Sequence, residues 1–117
     1  MLSLALPGKV FLCLSPADMR KSFDGLSELV RTGLGGDPLS GHLFVFRNRR
    51  GDRLKLLYWD ADGLAVWAKR LERGTFQFPS TTSSAASVEV TPTELALILG
   101  GIDLTSARRR VRYRRPA

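Results

Sequence analysis

Apolar and polar positions change their spacing several times along the chain, and each change marks an element. Lys9 to Leu14 is a short run rich in Val, Phe and Leu, the pattern of a buried strand. Met19, Phe23, Leu26 and Val30 then recur at steps of four, three and four, with Arg20, Lys21, Asp24, Ser27, Glu28 and Arg31 off that stripe. This spacing predicts an amphipathic helix. Ser15-Pro16-Ala17-Asp18 has the form of a capping box with proline at the first helical position, so the helix is expected to start there. Its end is expected within Gly33 to Gly36, where glycine accepts the left-handed conformation, ahead of the break at Asp37-Pro38.

From Leu43 the period shortens. Leu43 to Arg49, Arg53 to Asp60 and Leu64 to Leu71 are rich in aromatic and branched residues and are separated by Arg50-Gly51-Asp52 and Ala61-Asp62-Gly63, both turn chemistry. Three strands with short connections predict an antiparallel meander. In the second, Leu54, Leu56 and Tyr58 share one face, and Lys55, Leu57 and Trp59 the other. In the third, Leu64, Val66 and Ala68 oppose Ala65, Trp67 and Lys69. Phe76 and Phe78 alternate with Thr75 and Gln77 in a fourth expected strand ending at Pro79. Pro79 to Ser87 reads as a surface loop of Ser, Thr and Ala, and Val88 to Val90 as a short strand. Thr91-Pro92-Thr93-Glu94 repeats the capping-box logic before a short helix through Leu95, Ile98 and Leu99 that ends at Gly100-Gly101. The fold class expected is α+β: a small antiparallel meander of about four to six strands packed against the amphipathic helix and the short C-terminal helix. Neither sheet face looks wholly solvated, so helices should cover at least one.

Size and charge narrow the choice. At 117 residues and 12.9 kDa the chain accommodates one domain, expected over 1–107, with 108–117 as a flexible basic tail. The net charge of +7 falls to +1 when the six arginines of the tail are set aside, so a polyanion would meet local basic features rather than a uniformly basic surface. A lone cysteine, Cys13, excludes an internal disulfide, and a lone histidine, His42, leaves no Cys/His zinc site. No run reaches the roughly 20 apolar residues of a membrane span, and the N-terminus lacks the form of a signal peptide. The expectation is a cytoplasmic protein without membrane contact.

Arginine and lysine carry the candidate chemistry. Arg108, Arg109, Arg110, Arg112, Arg114 and Arg115, with Tyr113 among them, offer planar donor forks for phosphate and a ring for base stacking. About four to six such contacts on duplex DNA would give a salt slope near −4 to −5. Arg47, Arg49, Arg50, Arg53 and Lys55 crowd around a hairpin turn with Asp52. If Arg47 and Arg49 share one strand face and Arg53 and Lys55 another, the two arms could project a common patch; the alternative is a solvated tip that blocks edge pairing. Lys69, Arg70 and Arg73 form a weaker group. Trp59 and Trp67 suggest a different use, docking a protein through an aromatic sheet face without DNA contact.

Enzymatic readings have less support. Asp60 and Asp62 could approach a divalent cation with His42 nearby, in a metal-dependent nuclease, but the same residues make an ordinary turn. Asp18, Asp24 and Glu28 are accounted for as caps and as ion pairs to Arg20, Lys21 or Arg31, and Cys13 falls in a buried strand. There is no phosphate-binding glycine loop or dinucleotide fingerprint. No catalytic residue, metal or cofactor is assigned.

Four blocks carry a resemblance: Ser15 to Leu26, Asp37 to Phe46, Arg53 to Asp60, and Lys69 to Gly74. In order and spacing they closely resemble the TnpB accessory proteins, products of the second open reading frame of bacterial transposable elements of the insertion sequence 66 family, over about Lys9 to Leu104. An unrelated RNA-guided nuclease that shares the short name is far longer and is not resembled. The resemblance implies a non-catalytic role in transposition beside a larger, separate transposase that holds the acidic catalytic residues. It brings no established site residues. On the matching blocks and the meander, Arg20, Lys21, Arg47, Arg53, Lys55, Lys69, Arg70 and Arg73 are the basic positions nominated for a shared anion-binding face, whereas Gly41, Asp60 and Gly74 are explained as turn requirements. The expected partners are DNA, at element ends or without sequence preference, the transposase subunit, and a second copy in a homodimer.

Overall fold

A computed structural model describes residues 8–79 and 84–101. The arginine tail, the expected domain boundary at 107 and the middle of the Ser/Thr/Ala loop lie outside the described residues. Five strands and two helices follow in the order β1 (Val10–Cys13), α1 (Phe23–Gly33), β2 (Leu43–Arg47), β3 (Arg53–Asp60), β4 (Gly63–Arg70), β5 (Ser87–Val90) and α2 (Pro92–Leu99). They build one sheet of order β4-β3-β2-β1-β5.

The class is the α+β class expected, and β2, β3 and β4 are the antiparallel meander. The meander is not the whole sheet. β1 lies parallel to β2, with Val10 opposite Leu43 and Leu12 opposite Val45, and β5 closes the far edge antiparallel to β1. A parallel pair needs a long crossover, and the segment from Leu14 to His42 supplies it with α1 inside.

Alternation along the strands fills both faces of the sheet. Val10, Leu12, Leu43, Val45, Leu54 and Leu56 point to one face, where they meet Leu95 and Ile98 of α2 together with Phe76 and Phe78. Phe44, Phe46 and Leu57 point to the other, against Leu26 and Val30 of α1. Each large side chain so enclosed contributes about 1.5–3 kcal/mol relative to exposure. The two-face assignment of β3 expected from its alternation holds residue by residue.

Two elements depart from expectation. The first helix begins at Phe23, not after Ser15. Asp18 does not cap it; its carboxylate accepts from the Arg20 amide at 2.9 Å and from the Arg20 side chain. Ala17 donates instead to the Arg47 carbonyl at 2.9 Å, which ties the segment to the end of β2. The Lys21 carbonyl accepts from Lys55 Nζ at 2.7 Å, and the first helical turn closes one residue later, from the Leu26 amide to the Ser22 carbonyl. Ser22 makes no side-chain cap, whereas Thr91 and Glu94 form the complete reciprocal box expected for α2. The end of α1 falls at Gly33, with Gly35 left-handed at φ +65°.

Thr75 to Phe78 is the second departure: among the described residues it pairs with no strand, and it runs as irregular chain over the α2 face of the sheet. Both phenylalanines are buried as strand alternation required. Here single bonds do the work of a ladder. The Phe76 amide donates to the Gly51 carbonyl and the Leu71 amide to the Asp52 carbonyl, both at 2.8 Å.

Candidate nucleic-acid interface

The basic residues gather where the β2–β3 turn meets the end of β4. The Gly51 amide donates to the Asn48 carbonyl at 3.0 Å, so Arg49 and Arg50 sit at the two central, exposed positions of a four-residue turn. Asn48 then staples the turn: its amide donates to the Asp52 carboxylate at 2.7 Å and its carbonyl oxygen accepts from the Arg53 amide at 3.0 Å. The Asn48 bond holds the Asp52 carboxyl below the ordinary carboxylate range. Gly51 is left-handed at φ +79°, which favours glycine, and an added Cβ would also sit in a tight 3.3 Å contact with the Thr75 side chain. The result is a stapled tip with two exposed guanidinium groups, neither in a salt bridge among the described residues, with Asp52 acting on Arg50 electrostatically.

Register decides which of the other cations join them. Arg47 stands opposite Leu54, whereas Arg53 stands one residue away opposite Arg70, and Lys55 opposite Ala68. Arg47 therefore faces α2, and Arg53, Lys55 and Arg70 face α1. The expectation that the two hairpin arms project one patch does not hold: Arg49 belongs to the turn, and Arg47 is turned to the opposite face from Arg53 and Lys55.

Arg47 has internal partners. Its Nη1 donates to the Phe76 carbonyl at 2.9 Å, and its guanidinium carbon lies 4.0 Å from the centre of the Phe78 ring. Burial pushes its guanidinium down from the ordinary arginine value. This side chain fastens the irregular 75–78 segment over the sheet.

On the α1 face the reverse arrangement occurs. Arg53 and Arg70 are like charges on directly opposite residues, a pairing that costs stability. They border a cleft of about 440 Å³ whose lining also includes Met19, Lys55, Lys69 and Glu72. The one acid, Glu72, lies 3.4 Å from Arg70 Nη2, and both side chains are exposed, so this pair offsets little of the positive charge. Lys69 is exposed on the cleft lining, and neither it nor Arg73 nor Arg53 makes a salt bridge among the described residues, although Arg53 and Asp52 interact electrostatically. Lys55 reaches across to the segment before α1 through its bond to the Lys21 backbone carbonyl, while the Lys21 side chain itself runs beside Gly25 of the helix. Arg20 lies in that segment too, but its Nη2 is 2.7 Å from Asp18, and its charge is largely answered there. Sequence alone could have found the cleft from the β3–β4 turn, because counting back from Asp60 and forward from Gly63 brings Arg53 opposite Arg70.

The remaining candidates are dispersed. Trp67 packs against the α2-side core, and Trp59, opposite Leu64, faces the other way; the two half-buried rings share no face. His42 Nδ1 accepts from the Lys9 amide at 2.9 Å, and its ring meets Phe11 edge-on, which accounts for it structurally. Among the described residues no three metal-ligating side chains are gathered. Cys13 is buried, and that burial raises its thiol pKa.

The region that matches a known family spans all of these elements. The family model described as "IS66 Orf2 like protein" matches residues 8–109. Two curated relatives from Sinorhizobium fredii (strain NBRC 101917 / NGR234) are similar along most of their length. Uncharacterized protein y4jC is 37% identical over 102 residues, covering 87% of this chain and 86% of its own. Uncharacterized protein y4hO is 39% identical over 95 residues, covering 81% of each. No solved structure matches.

Proposed function

The chain belongs to the IS66 Orf2-like family, and from that membership we propose that it is a non-catalytic accessory factor in DNA transposition that grips element DNA, free or held by the transposase. The contact is the cleft lined by Arg53, Lys55, Lys69 and Arg70, extended by Arg49 and Arg50 at the adjoining turn, with Lys21 and Arg73, the latter beside the end of α2, as outlying contacts. The arginine tail, Arg108 to Arg115, adds further phosphate contacts on the strength of its charge. The observation that carries the reading is Arg53 directly opposite Arg70. A fold gains nothing from that juxtaposition, whereas a phosphate between two guanidinium forks removes the repulsion and is held by donors from both sides.

Such a contact orients DNA without reading its sequence. Strand breakage and joining are left to the transposase. The test is a binding titration of the full chain and of the Arg53→Ala/Arg70→Ala double variant at several salt concentrations, on element-end and unrelated DNA. Loss of two phosphate contacts should make the slope of log affinity against log salt shallower by about 1.8 on both DNAs. An unchanged slope with reduced or equal affinity removes the cleft from the interface.

A further inference from the structure

β4 is an edge of the sheet: it pairs with β3 and, among the described residues, with nothing on its outer side. Eight residues of extended chain, Gly63–Arg70, present backbone donors and acceptors there, the kind of edge that proteins ordinarily shorten, cover or break with proline. Its side chains have a particular order. The turn that leads into it carries Asp60 and Asp62, and its other end carries Lys69 and Arg70, all exposed. Between them small and large residues alternate about Val66, with Leu64 and Ala68 on one face and Ala65 and Trp67 on the other.

We propose that β4 pairs antiparallel with β4 of a second copy about a two-fold axis at Val66, joining the two five-stranded sheets. In that register Val66 meets its own equivalent, Leu64 meets Ala68, Trp67 lies over Ala65, and Asp62 stands opposite Arg70. Each large side chain finds a small one, and the acidic end of each strand meets the basic end of the other, twice by symmetry. Pairing in parallel would set acid beside acid and base beside base. Displacing the axis by one residue to Trp67 would oppose the two indoles and bring Asp62 toward Glu72. Arg70 keeps its place at the cleft, since a guanidinium has donors for a carboxylate and a phosphate together. The pairing stands on the edge itself and is independent of DNA.

Sedimentation velocity of the full chain without DNA, over a range of concentrations, should show a monomer–dimer equilibrium. Asp62→Arg, in an exposed turn, should raise the dimer dissociation constant about tenfold or more, as should Arg70→Asp, because each replaces two attractions with two repulsions. Combining the two substitutions should restore dimerisation. In Val66→Cys protein, a short bismaleimide should join two chains, while Thr32→Cys on the exposed side of α1 should remain uncoupled under the same conditions. Circular dichroism of each variant distinguishes lost pairing from lost folding. A chain that stays monomeric at every concentration, with Val66→Cys uncoupled, overturns the proposal and leaves the edge to a strand from another protein. A dimer indifferent to both charge reversals overturns the register.

Discussion

The two faces of the sheet treat the same kind of residue in opposite ways. Arg47 and Arg53 flank one short turn, yet one turns toward α2 and the other toward α1. On the α2 face the core is the larger of the two, and the chain after β4 folds back over it, so Arg47 finds a carbonyl and an aromatic ring. On the α1 face the helix starts late, at Phe23, and the end of β3 and β4 stays open around Arg53 and Arg70. An arginine that is covered becomes part of the fold; one that is left uncovered opposite another arginine has charge to spare for a ligand. On this contrast the covered arginine serves stability, and the anion contact proposed for the chain falls on the other face.

The largest expected effect is on the covered face. Leu56 is fully buried at the centre of that core, opposite Val45 on one side and Trp67 on the other. Leu56→Ala should destabilise the protein by about 2–5 kcal/mol, through lost transfer energy and the cavity left behind. Urea unfolding followed by tryptophan fluorescence measures it, and a loss below about 1 kcal/mol would mean that this face is less tightly packed than its burial states. The same substitution should leave the salt dependence of DNA binding by the folded fraction unchanged.

Arg47→Ala comes next. Removing the guanidinium leaves the Phe76 carbonyl without its donor and the Phe78 ring uncovered, so about 1–3 kcal/mol of stability should be lost. Arg47→Lys should recover part of it, because an ammonium can reach one partner but lacks the planar fork. Proteolysis provides a local readout, since cleavage within Thr75 to Phe78 should speed up more than cleavage elsewhere. If Arg47→Ala instead left stability intact and flattened the salt slope of DNA binding, the division between the faces would fail.

The sequence already displayed the meander, the alternation on β3, both helices and the complete cap of α2, because each rests on interactions a few residues apart. What it concealed depends on distant chain. Ser15-Pro16-Ala17-Asp18 has capping chemistry, but the Arg47 carbonyl and Arg20 hold those residues in another conformation. Phe76 and Phe78 alternate as a strand would, yet the Gly51 carbonyl and Arg47 hold this segment over the α2 face, where both rings are buried without a ladder. The parallel placement of β1 was readable in principle from the length of its connection to β2. For the site, composition pointed to the hairpin cations but could not divide them, since a shift of one residue in register moves a side chain to the opposite face.

The smallest effect concerns Arg20, and it tests whether an uncovered arginine is enough. Arg20 is the most exposed of the paired cations, with 92% of its side chain accessible, but Asp18 meets both its backbone amide and its guanidinium. These bonds bring the Asp18 carboxyl down from 3.8 to about 2. Because the folded value lies below the unfolded one, the pair contributes stability above the ordinary carboxylate range and loses that contribution as pH falls through about 2. Following the Asp18 carboxyl by NMR should give a midpoint near 2 in the native chain, and Arg20→Ala should return it toward the ordinary range. With its charge answered by this neighbour, Arg20→Ala should alter DNA affinity less than Arg53→Ala does at the same salt. Asp18→Asn should then release Arg20 and strengthen binding slightly, whereas equal losses from Arg20→Ala and Arg53→Ala would show that exposure, and not freedom from a direct salt bridge, selects the residues that meet the polyanion.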